Sequence, residues 1–133
     1  MIGLFNNTIT LLNRAKNSDY TDSYYKTVIG NVCVQHNIKA DNNATNSKVA
    51  SLCSVYIHKN ILPKQYLKPK DWVSSTSKGT TITFKEDDYF VVGEVSETSI
   101  TDINSIYNKY DNVFKIYSVA EFNVIEAFHL KGK

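Results

Sequence analysis

The chain reads as mainly β: a small barrel or sandwich of about six to seven strands, with one inserted helix (about 99–110) and long polar loops. Three observations predict this. Apolar and β-branched residues fall in short runs that alternate or double, without the three-to-four spacing of helices. Nine Tyr and six Phe supply the rings that pleated surfaces favour. A single stretch of helical spacing interrupts the strands, as a helix packed on one side of a barrel would. At 133 residues the chain fits one β-rich domain, 1–133. A chain of this size buries roughly 68% of its unfolded surface, enough for a core without disulfides or metal. The hydrophobic share of 42% and charged share of 21% exclude wholesale disorder.

The elements follow in order. Thr8-Ile9-Thr10-Leu11-Leu12-Asn13 alternates and then doubles its apolar residues, a short strand. Residues 22–35 are rich in Tyr, Val, Ile and Thr, with Gly30-Asn31 as a bulge or turn inside them. Residues 49–57 form a third β-branched run. Thr80-Thr81-Ile82-Thr83-Phe84-Lys85 alternates, Glu86-Asp87-Asp88 turns, and Tyr89-Phe90-Val91-Val92-Gly93-Glu94-Val95 returns, the pattern of a hairpin. Ile100, Ile103, Ile106, Tyr107 and Tyr110 share one helical face, with Thr98 or Ser99 as cap and Asp102 in the first turn. Residues 113–119 and 124–130 complete the strands. Two segments remain irregular: a long polar loop over 36–51, rich in Asn, and 60–79, which holds Pro63, Pro69 and the only Trp. Loops of this length are usually functional or disordered.

Charge is unevenly spread. Residues 1–80 carry ten Lys or Arg and four Asp, a net of +6, while residues 81–133 carry a net of −4. A binder of polyanions would be basic throughout, whereas a subunit that meets its own copies basic-to-acidic would look like this. Fourteen Lys against one Arg, with fourteen Asn, point to AT-rich coding, as in a low-GC bacterium or its phage. The opening residues lack a basic n-region and Asn interrupts their apolar stretch, so no signal peptide is expected. Cys33 and Cys53 are then expected as free thiols of a reducing compartment.

No motif for chemistry stands out. Cys33/His36 and Cys53/His58 are three and five apart, which on a strand turns the paired side chains to opposite faces, against zinc binding. No nucleophile elbow, P-loop or dinucleotide fingerprint occurs. No catalytic, metal or cofactor residue is therefore assigned, and no enzyme activity is expected. Tyr20, Tyr24, Tyr25 and Lys26, with Tyr66, Lys68, Lys70 and Trp72, offer the alternative of an OB-like nucleic-acid-binding barrel with a stacking groove. Against it, a single Arg leaves little bidentate phosphate recognition.

Several stretches resemble a family of small structural proteins of phages and prophages of low-GC Gram-positive bacteria. They are Thr8-Ile9-Thr10-Leu11-Leu12-Asn13-Arg14, Tyr24-Tyr25-Lys26-Thr27-Val28-Ile29 and Tyr66-Leu67-Lys68-Pro69-Lys70-Asp71-Trp72. Thr81-Ile82-Thr83-Phe84 through Asp88 to Gly93-Glu94, Lys109-Tyr110-Asp111-Asn112-Val113 and His129-Leu130-Lys131-Gly132-Lys133 continue them. The resemblance implies a part of the head–tail connector in the virion, assembled in the host cytoplasm. Among connector parts the stopper, a small β-barrel whose long loop enters the DNA channel, matches the β-rich pattern best; a tail terminator ring is the alternative. The implied partners are further copies in a ring, a portal or adaptor protein above, a tail terminator or tail protein below, and packaged double-stranded DNA, with no membrane. Lys39, Asn42, Asn43, Asn46 and Lys48 are then the expected channel loop, and Tyr66, Pro69 and Trp72 the expected subunit interface.

Overall fold

The computed structural model describes residues 5–40 and 49–133, with backbone alone over 37–40 and 49–51. Eight strands are present: β1 (Asn7–Lys16), β2 (Asp22–Ala40), β3 (Val49–His58), β4 (Gln65–Tyr66), β5 (Thr81–Ile82), β6 (Tyr89–Val92), β7 (Val113–Phe122) and β8 (Ala127–Gly132). Two helices, α1 (Pro69–Ser74) and α2 (Ile103–Lys109), and a 3-10 turn at Lys59–Ile61 join them. Six strands close an antiparallel barrel in the order β1–β2–β3–β8–β7–β6, and β6 returns to β1. The expected β-rich barrel with a helix on its side is therefore the fold.

Period-two alternation fills the interior. Ile9 and Leu11 of β1, Val55 and Ile57 of β3, Phe128 and Leu130 of β8, with Phe90 and Phe114, form one buried cluster. Each such side chain contributes about 1.5–3 kcal/mol by leaving water. Gly132 lies where a Cβ would come within 2.7 Å of Phe90 Cε1 and 2.8 Å of Phe114 Cβ, so only glycine lets β8 pass these rings. The outward residues between them are covered only on one side. Leu12 of β1 and Val91 of β6 form a second cluster with Val95, Ile100 and Ile106, under residues 95–100 and α2.

The bulge expected at Gly30-Asn31 is present. Asn7 pairs with Val32 and Ile9 with Ile29, so two residues of β2 oppose one of β1, and Asn31 takes φ 57°. There β2 changes partner: it runs along β1 up to Val32 and along β3 from Cys33. Asn tolerates the left-handed conformation that this bend needs.

Four expectations change. The 36–51 loop is shorter, because the β2–β3 ladder continues from His36↔Cys53 to Ala40↔Val49. Asn and Lys break the apolar pattern of this stretch, so its strands are not legible in the sequence. Residues 80–95 are no simple hairpin. β5 pairs in parallel with β4, and β6 lies between β1 and β7. Thr81, Ile82, Thr83 and Phe84 are all buried, as in a segment that closes the barrel, so their alternation did not mark a half-exposed strand. α2 begins at Ile103 with Asp102 as its cap, accepting from the Asn104 amide at 3.0 Å. Thr98 and Ser99 lie outside the helix, before the bridge at which the Tyr24 amide donates to the Ile100 carbonyl at 2.9 Å. Within 60–79, α1 starts on Pro69. Six residues are too few to show a helical period.

Candidate functional site

Trp72 comes from the segment expected to make the subunit interface, and its position corrects that expectation. Pro69 starts α1, and the helix turns Trp72 into its own chain, where it is 0% exposed. Its Nε1 donates to the Thr81 carbonyl at 3.4 Å, Tyr25 meets it edge-on at 5.9 Å, and the Lys78 and Lys85 ammonium groups lie over the ring. A ring so enclosed cannot contact a second molecule. Tyr66 is half-buried against Phe84 and Phe128, at 5.7 and 4.6 Å, and Pro69 is half-buried. These residues close the barrel.

Beside Trp72 sits Asp88, a fully buried carboxylate with three hydrogen-bond donors. Its carboxylate accepts from the Arg14 amide at 3.1 Å, from Asn13 Nδ2 at 2.8 Å and from the Lys85 ammonium, which also donates to the Arg14 carbonyl at 3.0 Å. Burial pushes the Asp88 carboxyl up from its ordinary value, against the pull of Lys85, Asn13 and the Arg14 amide. A cleft of about 360 Å³ opens next to it, between Arg14, Lys16, Val73, Lys78 and Glu86. The network ties β1 to the Lys85–Asp88 turn, and Lys85 over the Trp72 ring extends it to α1, while the buried Asn13 Oδ1 has no partner among the described residues.

The remaining candidates are dispersed. Cys33 and Cys53 are buried free thiols, and burial pushes the Cys53 thiol up to about 12. His36 stands edge-on to Phe114 at 5.4 Å, and His58 lies against Phe5 at 4.6 Å. Among the described residues no three His, Cys, Asp or Glu side chains converge as metal ligands. Of the rings offered for a stacking groove, Tyr24 and Trp72 are buried, Tyr25 and Tyr66 are half-buried, and Tyr20 alone stands clear in the β1–β2 turn. Lys39 lies on β2 opposite Ala50, while Asn42, Asn43, Asn46 and Lys48 lie outside the described residues. Among the described residues no helix is long and apolar enough to cross a membrane.

Two surfaces that the sequence did not single out are more distinctive. The turn between β7 and β8 presents Phe122, Val124 and Ile125, with Val124 98% exposed. Residues 124–126, expected inside a strand, instead form the turn, with Glu126 at φ 49°. Lys59 braces it: its amide donates to the Glu126 carbonyl at 2.9 Å and its ammonium meets Glu121 at 2.6 Å. The second surface is the outer face of β3, β8 and β7. There Tyr56 and His129 stack at 4.1 Å and 13°, Lys133 lies over Tyr117, and a hollow of about 270 Å³ is lined by Ser54, Tyr56, Tyr117, His129 and Lys131, among others. His129 Nε2 is buried without a partner among the described residues. Burial, and then the Lys131 charge, hold the His129 imidazole below its ordinary value.

A family of unknown function, DUF6751, matches residues 4–131. The chain belongs to that family. The match takes in the whole barrel except Gly132, with both helices and the apolar β7–β8 turn. No curated protein and no solved structure matches the chain.

Proposed function

We propose that this member of the family is a non-enzymatic virion subunit, the stopper ring of a phage head–tail connector, which closes the portal channel and retains packaged DNA. One observation carries the reading beyond the sequence resemblance. β3 pairs with β8 only from Cys53 to His58, yet its ladder with β2 runs on through Leu52, Ser51, Ala50 and Val49. The ribbon therefore leaves the barrel wall as an arm. Its polar connection carries Asn42, Asn43, Asn46 and Lys48. Copies around a ring would bring such arms together over a central channel, where amide and lysine side chains meet phosphate without a dense cationic ring that would hold DNA too tightly.

Other features support the same reading. The strands of the basic sequence half, β1, β2 and β3, are contiguous in the barrel, as are β8, β7 and β6 of the acidic half. The carboxylates of the acidic half lie mostly in its connections, at residues 86–88 and 94–111, so the linear charge asymmetry leaves acidic patches beside the strands that can steer neighbouring copies. The braced apolar β7–β8 turn suits contact with the ring above or below, since exposed apolar clusters on a rigid support mark interaction sites.

Inactivation of the gene in its phage or prophage tests the proposal. A stopper leaves separate tails and heads that fill and then lose their DNA. Joined, DNA-filled particles in the absence of the protein overturn the reading. Stable filled heads beside tails of irregular length overturn it in favour of a tail terminator.

A further inference from the structure

In a barrel ordered β1–β2–β3–β8–β7–β6, the seam between β6 and β1 lies across the barrel from the seam between β3 and β8. These two sides differ in kind. Over the first, residues 95–100 and α2 cover Leu12 and Val91, and residues 93–112 carry Glu94, Glu97, Asp102 and Asp111 against Lys109 alone. Lys109 is already engaged by Glu97. Tyr107 stands out of this acidic cover, 43% exposed, with its ring edge-on to Tyr89 at 6.0 Å. Over the second seam no helix lies among the described residues. The bare sheet shows the Tyr56–His129 stack, Tyr117 and Lys131 around its hollow, and no carboxylate lines that hollow.

We propose that the α2 face of one copy seats on the bare β3–β8 face of the next, with Tyr107 entering the hollow beside the Tyr56–His129 stack. The occupant is a second copy because the two faces complement each other in charge and form. One carries Glu94, Asp102 and Asp111 around an exposed ring, with Lys26 and Lys115 at its edges; the other sets Lys131 beside an aromatic hollow. Their placement on different sides makes the contact heterologous, so that each copy offers a different face to each neighbour, and a ring forms where the rotation between copies closes. Tyr107 is the kind of anchor such contacts use, a ring held by its own subunit and entering a partner's pocket. The acidic rim facing Lys131 sets orientation and speeds docking more than it adds affinity. This rests on the ring reading above and lies on a different surface from the expected interface at Tyr66, Pro69 and Trp72, of which Trp72 alone is sealed.

Sedimentation velocity over rising protein concentration tests it with two variants that each block one face. Tyr107→Ala with Asp111→Lys blocks the helix face, and Lys131→Glu blocks the sheet face; all these positions are exposed. Thermal melts check that both variants fold. Wild type is expected to assemble, each variant alone to remain monomeric, and an equimolar mixture to form one-to-one dimers through its single intact contact. Folded variants that assemble like wild type overturn the interface and leave the connector reading in place. Rings that survive Lys131→Glu while binding of a duplex oligonucleotide is lost assign the sheet face to DNA and overturn the proposal. A wild type that stays monomeric throughout also overturns it, and the connector reading is then decided separately by particles lacking the protein.

Discussion

Trp72 on α1 and Val124 between β7 and β8 both lie in segments that link strands, yet Trp72 is sealed and Val124 is bare. Trp72 is enclosed by Tyr25, two lysines and the Thr81 carbonyl, next to the buried Asp88 network. Val124 sits on a turn whose polar atoms are tied down by Lys59 while its apolar side chains point away. The difference teaches that residue type does not decide which aromatic or aliphatic group is free to meet a partner. A segment that returns across a barrel end must bury its large groups there, whereas a short hairpin turn has nowhere to put them.

The sharpest break of this comparison is on the sealed side. Asp88→Ala leaves Lys85 and Asn13 without their buried acceptor, and about 3–5 kcal/mol of stability is expected to be lost. Urea denaturation measures it; a loss under about 1 kcal/mol would show that the network is not what holds α1 and β1 together. Gly132→Ala comes next. Its methyl must displace Phe90 or Phe114, and overpacking of this kind costs typically 1–3 kcal/mol, again read by denaturant melts.

On the bare side the expected effect on folding is small. Val124→Asp should change stability by no more than about 0.5 kcal/mol and, on the stopper reading proposed above, reduce the protein's recovery in assembled particles, measured by immunoblot of purified virions. Equal recovery would leave the apolar turn without a role in assembly. The smallest effect concerns the uncovered sheet. Because the His129 imidazole is held below its ordinary value, the folded state disfavours its protonation. Its contribution is therefore present above the unfolded value near 6.5 and lost as pH falls through the lower folded value. A slight fall in melting temperature from pH 7.5 to 5.5 should flatten in His129→Gln, and an unchanged slope would show that other groups set it.

Much of the barrel was legible because its cause is local. Alternation in residues 8–13, the apolar run of 49–57 and the β-rich stretch of 113–119 each record a strand with one face in the core. Gly30-Asn31 recorded the bulge because few residues adopt a positive φ without strain. The candidate surfaces were not legible in this way. Val124 and Ile125 look like strand residues, since hydrophobicity reports what a residue can bury and not whether anything covers it. Trp72 looks like an interface anchor for the same reason, in reverse.

The sequence by itself determined a β-rich fold, the positions of most strands, a helix within about 99–110 and a chain basic in its first half and acidic in its second. Those follow from periodicity, backbone preference and charge count, which act over a few residues or simply add. Tertiary structure decided the rest. It placed β8 against β3 and returned β6 to β1, laid α2 over one seam, left the opposite seam without a helix among the described residues, and folded Trp72 inward while turning Val124 out. Each of these outcomes depends on contacts between residues far apart in the chain, and no local pattern of side chains encodes which distant strand will arrive to cover it.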